Sequence, residues 1–170
     1  MFITATANHC GVVNGYDDHA QLGSDRWAAL IAAHVAAKQM PHPQLVVVSG
    51  TALTVDALTA DGKFLGGIIV PGLMLMHRAL TLGTAQLPPL QGEHQTFPCN
   101  TPNAITSGAL AACAGAVQRM YSHLAEKVGD VPRCIGSGGA IEVLARHLPF
   151  PVSINDNLVL DGLVAIANSA

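Results

Sequence analysis

Apolar positions along this chain fall into two kinds of pattern. Short blocks of four to eight residues are rich in β-branched side chains, and longer stretches repeat them at helical spacing. Leu45-Val46-Val47-Val48 is an unbroken apolar run that reads as a buried strand, and residues 52–58 and 64–70 continue in a β-favouring pattern. The last two are joined by Ala60-Asp61-Gly62-Lys63, whose Asp-Gly pair is a strong hairpin signal. Pro71-Gly72 ends the third strand. Between the first two stands Gly50-Thr51, a tight turn.

The helical stretches are equally marked. Trp27, Leu30, Ile31 and Val35 recur at helical spacing through about Lys38, with Ser24 as the expected N-cap and Pro41 and Pro43 as the stop. Leu73 to Leu82 reads as a short helix with Leu73, Met76, His77 and Leu80 along one face. Thr101 is the expected cap, and Pro102 the first residue, of a helix running to about Val128. Its middle, Gly108 to Ala116, is nearly all small, which suits close packing within the domain or against a second copy. Arg133-Cys134-Ile135 is a strand that enters Gly136-Ser137-Gly138-Gly139-Ala140 and then a helix to about His147. Pro151 to Ile154 is a last strand and Leu158 to Asn168 a last helix. Residues 1–22 read as irregular to extended with a turn at Asn14-Gly15, and residues 83–99 as a proline-bearing loop. Three hairpin-linked strands followed by helix, helix, strand, helix, strand, helix predict an α/β fold, a mixed sheet with helices on its faces, in the order of a ribonuclease-H-like domain.

Composition narrows the function classes. The 170 residues fit one ordinary domain. Half are hydrophobic and only 11% are charged, against roughly 25% in a typical domain. A surface so short of charge suits coverage by a partner, most simply a second copy of the chain. The net charge of −3, with no basic block, argues against nucleic acid. No apolar run is long enough to span a bilayer, and Met1 to Ala7 has no basic residue of a signal peptide. Cys10, Cys99, Cys113 and Cys134 are scattered without a C-x-x-C pair, which reads as reduced, buried thiols in a cytoplasmic protein rather than a zinc site. His9 beside Cys10 suggests no metal pair, because neighbouring strand residues point to opposite faces.

Three loops can carry chemistry. Gly23-Ser24-Asp25-Arg26 sets a carboxylate and a guanidinium side by side at a helix start. The helix dipole favours an ionised Asp25, which could take a proton from a hydroxyl while Arg26 holds an anion. A capping aspartate next to a surface arginine explains the pair as well. The Gly50-Thr51 turn can cradle a phosphate, since glycine allows close backbone approach and the next N–H and hydroxyl can donate; it can equally be a plain turn. Gly136-Ser137-Gly138-Gly139 lies at a strand-to-helix turn, where ligand crevices form, yet it is neither G-x-G-x-x-G nor a Walker A loop.

Taken in order, these loops resemble a known family. The stretches Asn14-Gly15-Tyr16, Gly23-Ser24-Asp25-Arg26-Trp27, Gly50 to Asp56, Leu65 to Gly72, Thr84 to Pro88, Asn100-Thr101, Ser107-Gly108, Ser137 to Ala140 and Leu160 to Leu163 match the type III pantothenate kinases. These belong to the acetate and sugar kinase, heat-shock cognate and actin superfamily, and the likeness is greatest to the branch that includes the Bvg accessory factor proteins. The resemblance implies transfer of the γ-phosphoryl group of ATP, with Mg²⁺, to pantothenate, the first step of coenzyme A synthesis. It implies that Asp25 is the proton acceptor, and that Tyr16, Gly23, Ser24, Asp25, Arg26 and Thr101 hold pantothenate, with Arg26 on the carboxylate. Gly50 and Thr51 would contact the phosphates, and Gly138 and Gly139 would lie near the adenosine. It also implies a homodimer.

The chain departs from the family pattern Asp-x-Gly-Thr-Ala-Thr-Thr-x-Asp at two positions. Val48 stands at the first Asp, the position tied to a monovalent cation (K⁺ or NH₄⁺), and Leu53 replaces one hydroxyl. The family's first phosphate loop, Asp-x-Gly-Asn-Thr-x-x-Lys, is not among these residues. The expectation is therefore an N-terminally shortened member. Residues 1–43 would be the remnant of an N-terminal domain and residues 44–170 the ribonuclease-H-like kinase domain, with a separate N-terminal fragment as a candidate partner. The alternative is a non-catalytic, dimeric accessory relative, and a third reading is a kinase for another small hydroxylated substrate.

Overall fold

A computed structural model of the chain describes residues 3–82 and 92–169. The Thr84 to Pro88 stretch lies outside the described residues, as does most of the proline loop. Two short strands, β1 (Asn8–His9) and β2 (Val12–Val13), form a hairpin ahead of α1 (Ser24–Ala36). Then come β3 (Gln44–Ser49), β4 (Ala52–Leu58), β5 (Phe64–Pro71), α2 (Leu73–Leu82), α3 (Thr101–Val128), β6 (Arg133–Ser137), α4 (Ile141–Ala145), β7 (Val152–Ile154) and α5 (Leu158–Asn168). The five longer strands make one sheet in the order β5-β4-β3-β6-β7, antiparallel from β5 to β3 and parallel from β3 to β7. This is the mixed, ribonuclease-H-like sheet that the element order predicts.

Strand periodicity divides the core in two. From β3 and β4, Leu45, Val47, Leu53, Val55 and Ala57 turn to one face, under Cys113, Ala114, Val117 and Leu124 of α3 and Ile141 and Leu144 of α4. Val46 and Leu58 turn to the other, under α1 and α5. On that second face α1 is buried without a break from Arg26 to Ala33, because it lies between the sheet and α5. The two helices cross where Gly162 sits over the Ala28 carbonyl.

Several local expectations shift. The N-cap of α1 is Gly23 and not Ser24, and no side chain caps it. The cap of α3 is Asn100 and not Thr101: its Oδ1 accepts from the Asn103 N–H at 2.9 Å, so Pro102 sits one position further in. Asparagine caps a helix as well as serine or threonine does, so Asn100 and Thr101 are near-equal caps by residue type. The early chain reversal lies at Cys10-Gly11, both at positive φ, and not at Asn14-Gly15. Asn14 instead folds its side chain onto the Tyr16 N–H at 3.1 Å and so shapes the segment that carries Tyr16. Leu80 of α2 is exposed.

The cysteine reading changes too. Cys113 and Cys134 are buried free thiols, and burial pushes Cys134 up to about 12, but Cys99 is exposed and Cys10 half-buried. Because Cys10 is a turn corner and not a strand residue, His9 and Cys10 do converge. The Ser169 hydroxyl lies 2.8 Å from His9 Nε2 and 3.1 Å from Cys10 Sγ. Among the described residues no group of three or more His, Cys, Asp or Glu could hold a metal ion, and no helix is long and apolar enough to cross a membrane.

Candidate active site

Two places on this scaffold gather the residues singled out in the sequence. The first lies between α1 and the strands β4 and β5. Asp56 is the one charged residue of β4 and projects from the α1 face of the sheet, where it is almost wholly buried. A buried carboxylate needs a partner. Arg26, in the first turns of α1, supplies one: Nε donates to Asp56 Oδ2 at 3.1 Å and Nη2 to Oδ1 at 2.5 Å. Its Nη1 donates to the Tyr16 hydroxyl at 2.7 Å. The guanidinium also lies over the rings of Tyr16 and Phe64, which stack on each other. Gly67 of β5 completes the pocket, because a Cβ there would stand 1.9 Å from Asp56 Oδ1.

Burial opposes the charge on Arg26, but the hydrogen bonds and charge of Asp56 outweigh it, so the guanidinium stays protonated with its pKa above the ordinary value. Burial pushes the Asp56 carboxyl up, Arg26 pulls it back, and the nearby charge of Asp25 adds to the upward push. The bidentate geometry is that of an ionised pair. Gly23, Ser24 and Asp25 are exposed at the head of α1, within electrostatic reach of the buried pair. An exposed carboxylate at a helix N-terminus, next to a fixed cation, can take a proton from a bound hydroxyl.

The second place is a cavity of about 630 Å³ at the C-terminal ends of β3 and β6. Its walls are Ser49, Gly50 and Thr51 of the first turn, Gly139 and Ala140 of the second, Leu73, Met74, Leu75, His77 and Arg78 of α2, Thr106 and Leu110 of α3 and Val143 of α4. The two turns lock together. Ala140 N–H donates to the Ser49 carbonyl at 3.2 Å, and Gly138, at φ 98°, passes so close that a Cβ would lie 2.5 Å from the same oxygen. The Ser49 and Thr106 hydroxyls are buried there without a hydrogen-bond partner among the described residues. Burial holds His77 below its ordinary pKa.

The structure thus brings Tyr16 to Arg26, and Gly50 and Thr51 to Gly139, over sequence distances that local reading could not span. Gly138 packs its backbone on Ser49 and is not among the walls of the cavity. Thr101 is exposed on α3, the helix that covers the opposite face of the sheet from α1, and is not brought to Arg26. Leu53 is fully buried under α3, so its position faces the core and not a ligand. Thr54 faces the α1 side instead, opposite Val48, with its hydroxyl buried and without a hydrogen-bond partner among the described residues. Asp56 and Phe64 were missed as site residues. The signal for Asp56 was a lone charge in a strand that is otherwise uncharged and mostly apolar.

Comparison with known proteins gives the family and the fold. The family model of the type III pantothenate kinases matches residues 1–123. The type III pantothenate kinase of Acidovorax ebreus is 48% identical over 98% of this chain and 65% of its own length. That of Methylibium petroleiphilum is 49% identical, over 98% and 66%. The chain therefore spans about two thirds of the length of these curated relatives. Among solved structures, a conserved putative Baf family transcriptional activator from Campylobacter jejuni superposes with a TM-score of 0.60 at 23% identity, over 87% of this chain and 64% of that one, which is a likeness of fold. By its sequence, the chain belongs to the type III pantothenate kinase family.

Proposed function

We propose that the chain carries out the ATP-dependent phosphorylation of pantothenate to 4′-phosphopantothenate, the first step of coenzyme A biosynthesis. The observation that carries this reading is Arg26, clamped on Asp56 and Tyr16 beside the exposed Asp25 at the head of α1. Arg26 holds the substrate carboxylate, and Tyr16, Gly23 and Ser24 shape the pocket around it. Asp25 accepts the proton of the substrate hydroxyl as its oxygen attacks the γ-phosphorus; the bond to the β-phosphate oxygen breaks and ADP leaves.

The nucleotide lies at the cavity between the two glycine turns. Gly50 and Thr51 offer backbone and hydroxyl donors to the phosphates, and the Gly138-Gly139 turn with its apolar neighbours receives the adenosine. Mg²⁺ bound with the nucleotide would neutralise phosphate charge, as such transfers require. Val48 presents hydrocarbon where the family pattern has a carboxylate, so these residues do not fit that monovalent-cation site and no step runs through one. In this reading residues 1–43 bear the substrate loop and residues 44–170 the phosphate-binding domain.

The same reading makes the protein a cytoplasmic homodimer. Among the described residues nothing lies within 4 Å of where a Cβ of Gly108 or Gly115 of α3 would be, and Ala111 and Ala112 are exposed beside them. Leu80 of α2, which shares a groove with Gly108, is exposed as well. A face of small residues flanked by apolar ones suits a second copy.

ATP labelled on its γ-phosphate tests the chemistry. The label moves to pantothenate with the chain, alone or with a polypeptide that carries an Asp-x-Gly-Asn-Thr-x-x-Lys loop. Asp25→Asn lowers turnover by roughly 10²–10⁴, the usual worth of a general base, while pantothenate still binds. Absence of transfer in both arrangements would overturn the reading.

A further inference from the structure

The guanidinium of Arg26 has five N–H donors in one rigid plane. Described residues use three of them: Nε and Nη2 on Asp56 and Nη1 on Tyr16. One donor on Nη1 and one on Nη2 remain. They belong to the two terminal nitrogens, through which a guanidinium can grip a carboxylate by two hydrogen bonds, on a side chain that is 5% exposed. The plane is fixed at its edge by Asp56 and on its face by two rings, whose centres lie 5.5 Å (Tyr16) and 5.9 Å (Phe64) from Cζ. Gly67 keeps the side of Nη2 clear, since a Cβ there would stand 3.0 Å from it.

Asp56 is the immobile member of this set. It is 1% exposed and sits within β4, which is paired on both sides by β3 and β5. An arginine alone has several rotatable bonds and no preferred plane; the fork on Asp56 supplies one.

We propose that Asp56 is a positioning residue. It holds the Arg26 plane so that the two remaining donors face the substrate carboxylate, and thereby makes this subsite choose an acid over its neutral carboxamide. The proposal rests on the pantothenate reading for the identity of the acid. A contrary effect exists, because the charge of Asp56 also repels an incoming carboxylate. Were that effect dominant, removing the charge would tighten acid binding. The geometry points the other way. An asparagine would set its own N–H₂ against the guanidinium N–H groups and drive the plane out of register.

Calorimetric titration of pantothenate and of pantothenamide, its carboxamide, separates the two effects. The proteins are the wild-type chain, Asp56→Asn, Asp56→Glu, Arg26→Gln and the double variant Asp56→Asn/Arg26→Gln. Asp56→Asn is expected to weaken acid binding about tenfold or more, the size of a charge-assisted hydrogen bond, and amide binding less than about threefold. Asp56→Glu falls between wild type and Arg26→Gln in its acid-to-amide ratio. Adding Asp56→Asn to Arg26→Gln costs the acid nothing more, because Asp56 acts only through Arg26. A purely structural aspartate would lower both ligands together and leave the ratio unchanged. An unchanged ratio, or tighter acid binding, in Asp56→Asn overturns the proposal. Where that variant does not fold, an unchanged ratio in Asp56→Glu does so. Failure of the wild-type chain to bind either ligand would instead sink the pantothenate reading, and this inference with it.

Discussion

The Arg26–Asp56 subsite is made of interlocked side chains, whereas the cavity at Gly50-Thr51 has two glycine turns on one side and residues of α2, α3 and α4 on the other. In the first, Tyr16, Arg26, Asp56 and Phe64 come from four separate segments and are held by hydrogen bonds, charge and ring contact on the α1 face of the sheet. In the second, two glycine turns at strand ends meet through one backbone hydrogen bond and a close backbone approach. A substrate that must be recognised by shape and charge needs the first kind of site. A polyphosphate, which presents similar oxygens along its length, can be held by backbone donors. The difference also couples the subsites to the fold unequally. Damage to the ion pair strikes the core, whereas damage to a turn strikes strand ends that open at little cost.

That contrast can be broken by mutation. Arg26→Leu leaves Asp56 buried without its partner, so it should cost about 3–5 kcal/mol of stability, read as a lowered midpoint of denaturant unfolding. Gly138→Ala forces a side chain into a left-handed conformation against Ser49. It should cost about 1–3 kcal/mol and weaken ATP binding while leaving pantothenate binding in place. If Gly138→Ala proved the more damaging to stability, the contrast between core and turn would be wrong. Thr51→Ala should change stability by less than about 0.5 kcal/mol and weaken ATP roughly tenfold in a competition assay, as expected for a hydrogen bond to a charged oxygen.

The smallest expected effect concerns pH. His34 of α1 packs against the Gly11 and Gly62 turns, and burial holds its pKa below the ordinary value. The unfolded chain then takes up the proton first as pH falls, so this contribution is complete at neutral pH and is lost as pH drops through about 6.5. His77 and His147 act in the same sense. Thermal melts should show falling stability from pH 7.5 towards pH 5.5, and His34→Gln should flatten that fall. An unchanged slope would remove His34 from the account.

The sheet was largely legible because its signals are local. The run at Leu45-Val46-Val47-Val48, the Asp61-Gly62 turn and the Pro71-Gly72 stop place three strands within a residue of their observed bounds. The ends of helices were less so, since Gly23 or Ser24, and Asn100 or Thr101, serve almost equally as caps. Site chemistry divided along the same line. Gly50, Thr51 and Gly139 could be named from turn chemistry, and Asp25 and Arg26 from a helix start. The partner of Arg26 could not, because thirty residues separate it from Asp56. The side of the sheet that Leu53 faces was hidden for a related reason: strand alternation tells which residues share a face, but not which helix covers it.

The most direct test of the account is a titration of pantothenate into the wild-type chain and into Arg26→Gln, with a thermal melt of each. The account predicts that the wild-type chain binds, and that Arg26→Gln, while still folded, binds at least about tenfold more weakly. Equal binding by the two folded proteins would contradict it, because the carboxylate would then be held by something other than the clamped guanidinium.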